Sequence, residues 1–198
     1  MIDALGWDVD ALAKRWAAAL PFPHLVFDDL LAPGEVASVR TAFAGEPHHP
    51  VGGEVYEFFT SGDPPQQPAL LDFLRSLSAG EAGDKLRRIT GKALPHLEGR
   101  GYVYGEGHYL LPHADYRAGL RRELAFVYYV AGEQLVGGEL ELFACDLEGG
   151  EIVATRSAVL IEPKPNRLVI FDVSPATLHQ VREVRRGARA SLAGWFSR

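Results

Sequence analysis

The chain has a single cysteine among its 198 residues. Cys145 therefore has no partner for a disulfide within the chain, and a reducing cytoplasm is the expected location. Basic residues are not in excess: 20 Lys and Arg face 26 Asp and Glu, for a net charge of −6. That balance counts against a nucleic-acid backbone as the main partner. No apolar run approaches the ~20 residues needed to span a bilayer. The first residues, MIDALGWDVDALAKRW, lack a basic start followed by an apolar core, so neither a membrane partner nor a signal peptide is expected. There is no internal repeat and no low-complexity tract. What is present is 47% hydrophobic content, enough for one domain over 1–198 with a sizeable core.

The pattern changes part-way along the chain. Asp8 to Leu20 is alanine-rich with apolar residues at helical spacing, with Asp8 or Asp10 as cap and Pro21 as stop. LVF then reads as the centre of a short extended segment. Pro33 suits the first turn of a second helix ending near Gly45. Residues 46–68 carry many prolines and glycines around VYEFF, which predicts a long loop holding a short strand or hairpin. Loops of that length often serve as lids. His48 and His49 within it alternate in direction and read as a solvent-exposed pair. Pro68 to Leu77 and Asp84 to Ile89 complete a helical part over 1–95.

From His96 on, short runs rich in β-branched and aromatic residues follow one another, separated by Gly, Pro and charged turns. Cys145 ends one of them and reads as a core residue. Seven or more strands after a helical part predict an α+β, mainly β fold. Strand spacing alone suits a jelly roll or another sandwich equally.

The chemistry concentrates near GYVYGEGHYLLPHAD, which ends in the His-x-Asp triplet His113-Ala114-Asp115. In an extended strand alternate side chains share a face, so His113 and Asp115 would project together and Ala114 away. An imidazole beside a carboxylate supplies two of the three ligands of a 2-His-1-carboxylate facial triad, which leaves positions open on a ferrous ion. Such triplets also arise by chance. His179, in TLHQVREV, could complete the triad; alone it would read as a strand-end histidine bonded to backbone. Arg189, in ARASLAGWFSR, lies inside an apolar run where an uncompensated charge is costly. With Ser191 on the same strand face it could hold a carboxylate by a bidentate pair plus a hydroxyl bond. Arg182, Arg185 and Arg186 flank the Gly187 turn and read as solvated charges. Mn, Co, Ni or Zn would fit the same three ligands.

At this point the chain resembles the 2-oxoglutarate/Fe(II)-dependent oxygenases, most closely their prolyl-hydroxylase-like branch. The matching pieces are Tyr104-x-x-Gly107, LLPHAD, FVYYVA, GGELELF, LVIFD, His179 and RASLAGWF, in the family's order. The resemblance implies a double-stranded β-helix, the cupin-like jelly roll, over 96–198 as catalytic core, braced by the helices of 1–95. It implies His113, Asp115 and His179 as metal ligands. It implies Fe(II), 2-oxoglutarate as co-substrate and O₂, with ascorbate as an optional reductant. Arg189 matches the family's anchor for the distal carboxylate of 2-oxoglutarate, with Ser191 as helper. Tyr104 and Tyr129 match tyrosines of that pocket. Tyr128 and Tyr129 point to opposite faces, and parity does not say which one faces the cavity. Tyr102 and Tyr109 read as packing residues, and His108 as structural or on the substrate side.

The implied reaction is hydroxylation of an unactivated C–H bond, with a prolyl residue of a peptide or protein as the first expectation. Arg122 matches a basic position near substrate, and Tyr56 and Phe58 of the 46–68 loop offer apolar contact. Two other readings stand beside it: a hydroxylase of a free amino acid or natural-product intermediate, and a non-catalytic jelly-roll module that holds metal. The sequence is silent on oligomeric state.

Overall fold

The computed structural model describes residues 1–132 and 134–198. Among these residues four helices lie in the first half of the chain. α1, Val9–Ala18, is capped by Asp8, whose carboxylate accepts from Ala11 N at 3.0 Å, and it buries Leu12 and Trp16, one turn apart. α2, Pro33–Ala44, and α3, Pro68–Ser78, both carry proline in the first turn, where no amide hydrogen is needed. α3 buries Leu70, Phe73, Leu74 and Leu77, a single stripe at helical spacing. α4 runs Gly80–Thr90 and starts earlier than the Asp84 expected from sequence. The corner is tight: a Cβ on Gly83 would lie 2.3 Å from the Ser78 carbonyl oxygen, so glycine permits the close approach. Gly91 ends α4 in the left-handed region at φ 70°, where its amide donates to Arg87 O.

Among the described residues thirteen strands follow or interleave: β1 His24–Phe27, β2 His49–Gly53, β3 Tyr56–Thr60, β4 His96–Tyr104, β5 Tyr109–His113, β6 Arg122–Ala131, β7 Val136–Gly137, β8 Leu140–Glu148, β9 Glu151–Ile161, β10 Leu168–Asp172, β11 His179–Val181, β12 Val184–Arg186 and β13 Arg189–Ser197. All pairings are antiparallel. The order is β1-β10-β6-β13-β4-β3-β5-β11-β8-β9, with β2 beside β3 and a separate β7–β12 pair. The ribbon curls on itself into a jelly roll, mostly β with few helices.

β3 is the hinge between the two halves. Phe59 and Thr60 pair with β4, while Tyr56 and Glu57 pair with β5. The stretch 46–68 is thus a hairpin built into the sheet rather than a free excursion. Its base is pinned by Glu46, whose buried carboxylate accepts from Gln66 N at 2.9 Å and Gln67 N at 3.0 Å. His49 is exposed, but His48 is half-buried, packed 4.8 Å from the Phe43 ring. The exposed pair expected from sequence is therefore half right: the hairpin folds His48 back onto α2.

Burial explains the strand sequences. β6 is buried from Leu124 to Val130, because one face meets the helices and the other the opposite sheet. Phe126 and Tyr128 join the core formed with Phe73, Leu77 and Leu86, whereas Ala125, Val127 and Tyr129 join Leu140, Leu142 and Phe171 on the inner face. A strand buried on both sides reads as an unbroken apolar run. β8 and β9 leave the body beyond Phe143 as a hairpin closed by Gly149 and Gly150, at φ 60° and 89°. Cys145 sits there half-buried, not in the core as expected, since nothing covers that end of the hairpin. No helix among the described residues is long and apolar enough to cross a membrane.

Candidate metal and co-substrate site

The inner faces of the two sheets enclose a cavity of about 420 Å³, within the range of small-molecule sites. β5 and β11 bring its first three residues together, with His113 opposite His179 in their register. β5 ends at His113, so Asp115 lies in the loop beyond and Ala114 also lines the cavity. The strand parity expected from sequence therefore does not itself place the carboxylate: pairing with β11 stops at His113, and the chain turns Asp115 inward. Asp115 Oδ1 lies 3.7 Å from His113 Nε2, and Oδ2 lies 3.4 Å from His179 Nε2. The three ligand atoms all fall within 4.8 Å of one another.

Backbone carbonyls orient both imidazoles. His113 Nδ1 is 2.9 Å from Leu111 O, and His179 Nδ1 is 3.1 Å from Thr177 O. A carbonyl only accepts, so Nδ1 carries the proton on each ring and Nε2 keeps its lone pair towards Asp115. Burial pushes the His179 pKa down to about 4, with the Asp115 charge opposing and His113 adding to the fall. The set offers two imidazole nitrogens and a carboxylate, a donor mix suited to a divalent first-row metal.

The opposite wall comes from β13. Arg189, Ser191, Ala193 and Trp195 line the cavity at the strand's period of two. Arg189 is 2% exposed, and among the described residues its Nε has no hydrogen-bond partner and no carboxylate pairs with it. Its Cζ lies 4.9 Å from the Tyr104 ring and 5.1 Å from the Tyr129 ring. Burial drives the Tyr104 pKa well above the usual tyrosine range, partly offset by the Arg189 charge. Ser191 Oγ and Tyr129 OH are also buried without a hydrogen-bond partner among the described residues. Buried polar atoms are almost always paired, so three orphans around one guanidinium mark a missing polar ligand. An incoming carboxylate would satisfy all three, which is the fit expected for the distal end of 2-oxoglutarate.

The pair of adjacent tyrosines is resolved by register. Tyr128 faces the helices, 4.5 Å from the Phe73 ring, and its hydroxyl donates to Asn166 Oδ1 at 3.1 Å. Tyr129 faces inward, just behind the cavity lining. Tyr104, Tyr56 and Phe58 line the cavity, and Phe58 bridges Tyr102 and Tyr104 at 5.4 and 5.3 Å. Arg122 reaches the mouth, stacked 3.5 Å over Trp195 and bonded to Glu98 at 3.1 Å.

Several lining residues escape the sequence reading, Arg117, Tyr102 and Trp195 among them. Tyr102, expected to be packing, lines the cavity, and burial raises its pKa to about 12. Trp195 also lines it, and the period of two counted on from Arg189 and Ser191 would have found it. His108 stays outside the lining, stacked 5.5 Å from Phe59 and 3.8 Å from Glu57. Tyr109 donates to Glu54 O at 3.4 Å.

Comparison with known proteins agrees with this geometry. The sequence model of the 2OG-Fe(II) oxygenase superfamily matches residues 100–197. The prolyl 3-hydroxylase OGFOD1 of Xenopus laevis is 29% identical over 185 residues, covering 90% of this chain and 35% of that protein. The chain thus spans about a third of the length of the curated relatives it matches. A Pseudomonas putida prolyl-4-hydroxylase superposes with a TM-score of 0.71 at 23% identity, covering 96% of this chain and 98% of that one. A Trichoplax adhaerens prolyl hydroxylase, solved with a peptide fragment of the hypoxia inducible factor oxygen degradation domain, gives 0.68 at 14%, covering 96% and 90%. The matched segment runs from the strand bearing Tyr104 to the strand bearing Arg189 and Ser191, and the chain belongs to the 2OG-Fe(II) oxygenase superfamily, prolyl-hydroxylase-like in character.

Proposed function

We propose that the protein is a 2-oxoglutarate- and Fe(II)-dependent dioxygenase that hydroxylates a prolyl residue within a peptide or protein. One observation carries the reading. A His-Asp-His ligand set and an orphaned arginine-serine-tyrosine cluster face each other across one cavity. When bound, ferrous iron with 2-oxoglutarate supplies the O₂-dependent oxidation of an unactivated C–H, and the co-substrate leaves as succinate and CO₂.

The chain's own residues do the rest. His113, Asp115 and His179 would hold the metal through Nε2 and carboxylate oxygens, with Leu111 O and Thr177 O fixing the rings. Arg189 would grip the distal carboxylate, with Ser191 and Tyr129 donating hydroxyl hydrogens and Tyr104 closing the side. In a dry pocket those donors lose little to reorganisation, because sheet pairing already holds them. The aromatic wall of Tyr56, Phe58, Tyr102 and Trp195 excludes water and offers flat apolar surface to a pyrrolidine ring. Arg122 and the 46–68 hairpin border the entrance, and the helices of 1–95 brace the outer face of the sheet. A reducing cytoplasm suits the half-buried free thiol of Cys145.

The prolyl assignment draws on the named relatives, which are prolyl hydroxylases. The test incubates enzyme, Fe(II), 2-oxoglutarate and air with proline-containing peptides from a lysate, and separately with free amino acids. A peptide product heavier by about 16 Da, one oxygen atom, is expected. Efficient hydroxylation of a free amino acid with no peptide product would overturn the reading in favour of a small-molecule hydroxylase.

A further inference from the structure

We infer that the substrate peptide carries an acidic side chain close to the hydroxylated residue, and that Arg117 receives it at the cavity mouth; this rests on the peptide reading above. The loop between β5 and β6 forms one side of that mouth. Arg117 and Leu120 line the cavity there, and both are exposed. A turn closed by Leu120 N donating to Arg117 O at 3.1 Å shapes the loop.

Charge accounting singles out Arg117. Arg122, which also lines the mouth, is neutralised by Glu98 at 3.1 Å, and Arg100 on β4 is paired with Asp63 at 3.0 Å. The acids there are consumed in the same pairs. Glu57 alternates with Tyr56 and Phe58 along β3, so it points away from the cavity those two line. Among the described residues Arg117 has no ion pair and no side-chain hydrogen bond, and Arg121 in the same loop is equally unpaired and exposed. An acidic chain of net charge −6 therefore presents an unpaired positive rim at the entrance to its site.

A lone surface arginine is ordinary, and its position is what matters here. Arg117 follows Asp115 by two residues, so their Cα atoms are at most ~7 Å apart. A peptide leaving the metal site passes it within about three residues of the target. Leu120 and Tyr116, each 49% exposed, give that segment apolar contact beside the guanidinium. Charge at an interface rim steers encounter and selects partners more than it adds raw affinity.

The experiment uses two proline peptides, acetylated and amidated, identical except for Asp or Lys within three residues on either side of the proline. Blocked ends remove terminal carboxylates; a third peptide with neutral flanks and a free C-terminus tests that source separately. The Asp peptide should have the lower KM by roughly three- to tenfold at low salt, with kcat little changed, and the gap should shrink as salt rises. Arg117→Glu should reverse the order of the Asp and Lys peptides, a change no loss of folding produces. Arg88→Glu, an exposed charge on α4 outside the lining, should leave the order intact. Equal hydroxylation of both blocked peptides, or an unchanged order in Arg117→Glu, overturns the inference alone. A preference confined to the free C-terminus also overturns it. Continued 2-oxoglutarate consumption with no hydroxylated peptide overturns the peptide reading and this inference with it.

Discussion

Replacing Arg189 by methionine separates a co-substrate anchor from a structural cation. Arg189 is 2% exposed, and among the described residues it has no carboxylate partner and leaves Nε unbonded. An unsatisfied buried polar group costs about 1–3 kcal/mol. The two tyrosine rings, 4.9 and 5.1 Å from Cζ, return about 0.5–2 kcal/mol by cation–π attraction. Methionine keeps an unbranched apolar stem of similar reach. The two terms largely offset, so the ligand-free Arg189→Met protein should lie between ~1 kcal/mol less stable and ~2.5 kcal/mol more stable than wild type. At about 2–4 °C per kcal/mol for a chain this size, its Tm should fall by no more than about 4 °C and could rise by up to about 10 °C. Losing a buried charged partner costs ~2–5 kcal/mol, which weakens 2-oxoglutarate binding roughly 30-fold to several thousand-fold. Thermal melts with and without 2-oxoglutarate, plus calorimetry with Mn(II) in place of iron, read both effects. A variant that melts many degrees below wild type yet binds 2-oxoglutarate normally would refute the reasoning and make Arg189 a packing residue.

Three further outcomes follow from the same structure. His179 is held neutral, its pKa lowered by burial to about 4 from an ordinary 6.5, so the unfolded chain takes up a proton before the folded one does. The metal-free protein should therefore keep this contribution above pH 6.5 and lose on the order of 3 kcal/mol as pH falls from 6.5 to 4. Urea melts of wild type and His179→Gln across that window check it: the variant should lose less, and a wild type that gains stability towards pH 5 would mean a charged His179 paired with Asp115. Gly194→Ala should cost at least ~2 kcal/mol and at least ~4 °C in Tm, because a Cβ there would sit 2.0 Å from Glu98 O and 2.6 Å from Gly99 Cα where β13 crosses β4. A near-neutral melt would show that the two strands separate easily. Arg117→Glu should exchange the preference between Asp- and Lys-flanked peptides, read as a change in KM rather than kcat.

Legibility in the sequence tracked burial. β6 announced itself because both of its faces are covered, and α2 and α3 because proline marks their first turns. The distal half of the β8–β9 hairpin did not, since IVATRS is exposed on both faces and has no reason to alternate. The clustering of His113, Asp115 and His179 and the burial of Arg189 could be anticipated from residue type and order, because few side chains can ligate a divalent ion or survive as a charge inside an apolar run. The mechanism of their approach could not: Asp115 turns inward from a loop, a fact of where β5 loses its partner. Which of Tyr128 and Tyr129 faces inward depended on register against β13, and Tyr102 joined the lining through its neighbour Phe58 on β3. Those are contacts between distant segments, invisible to local periodicity.

The most direct test of the account measures two products in one reaction. Wild-type protein is incubated with Fe(II), 2-oxoglutarate, O₂ and a proline peptide, and succinate and hydroxylated peptide are quantified together, with His179→Ala run in parallel. The account predicts succinate and hydroxylated peptide in near-equal amounts, both abolished by omitting Fe(II) or 2-oxoglutarate and both lost in His179→Ala. Hydroxylation that persists without 2-oxoglutarate, or in His179→Ala at the wild-type rate, would contradict it.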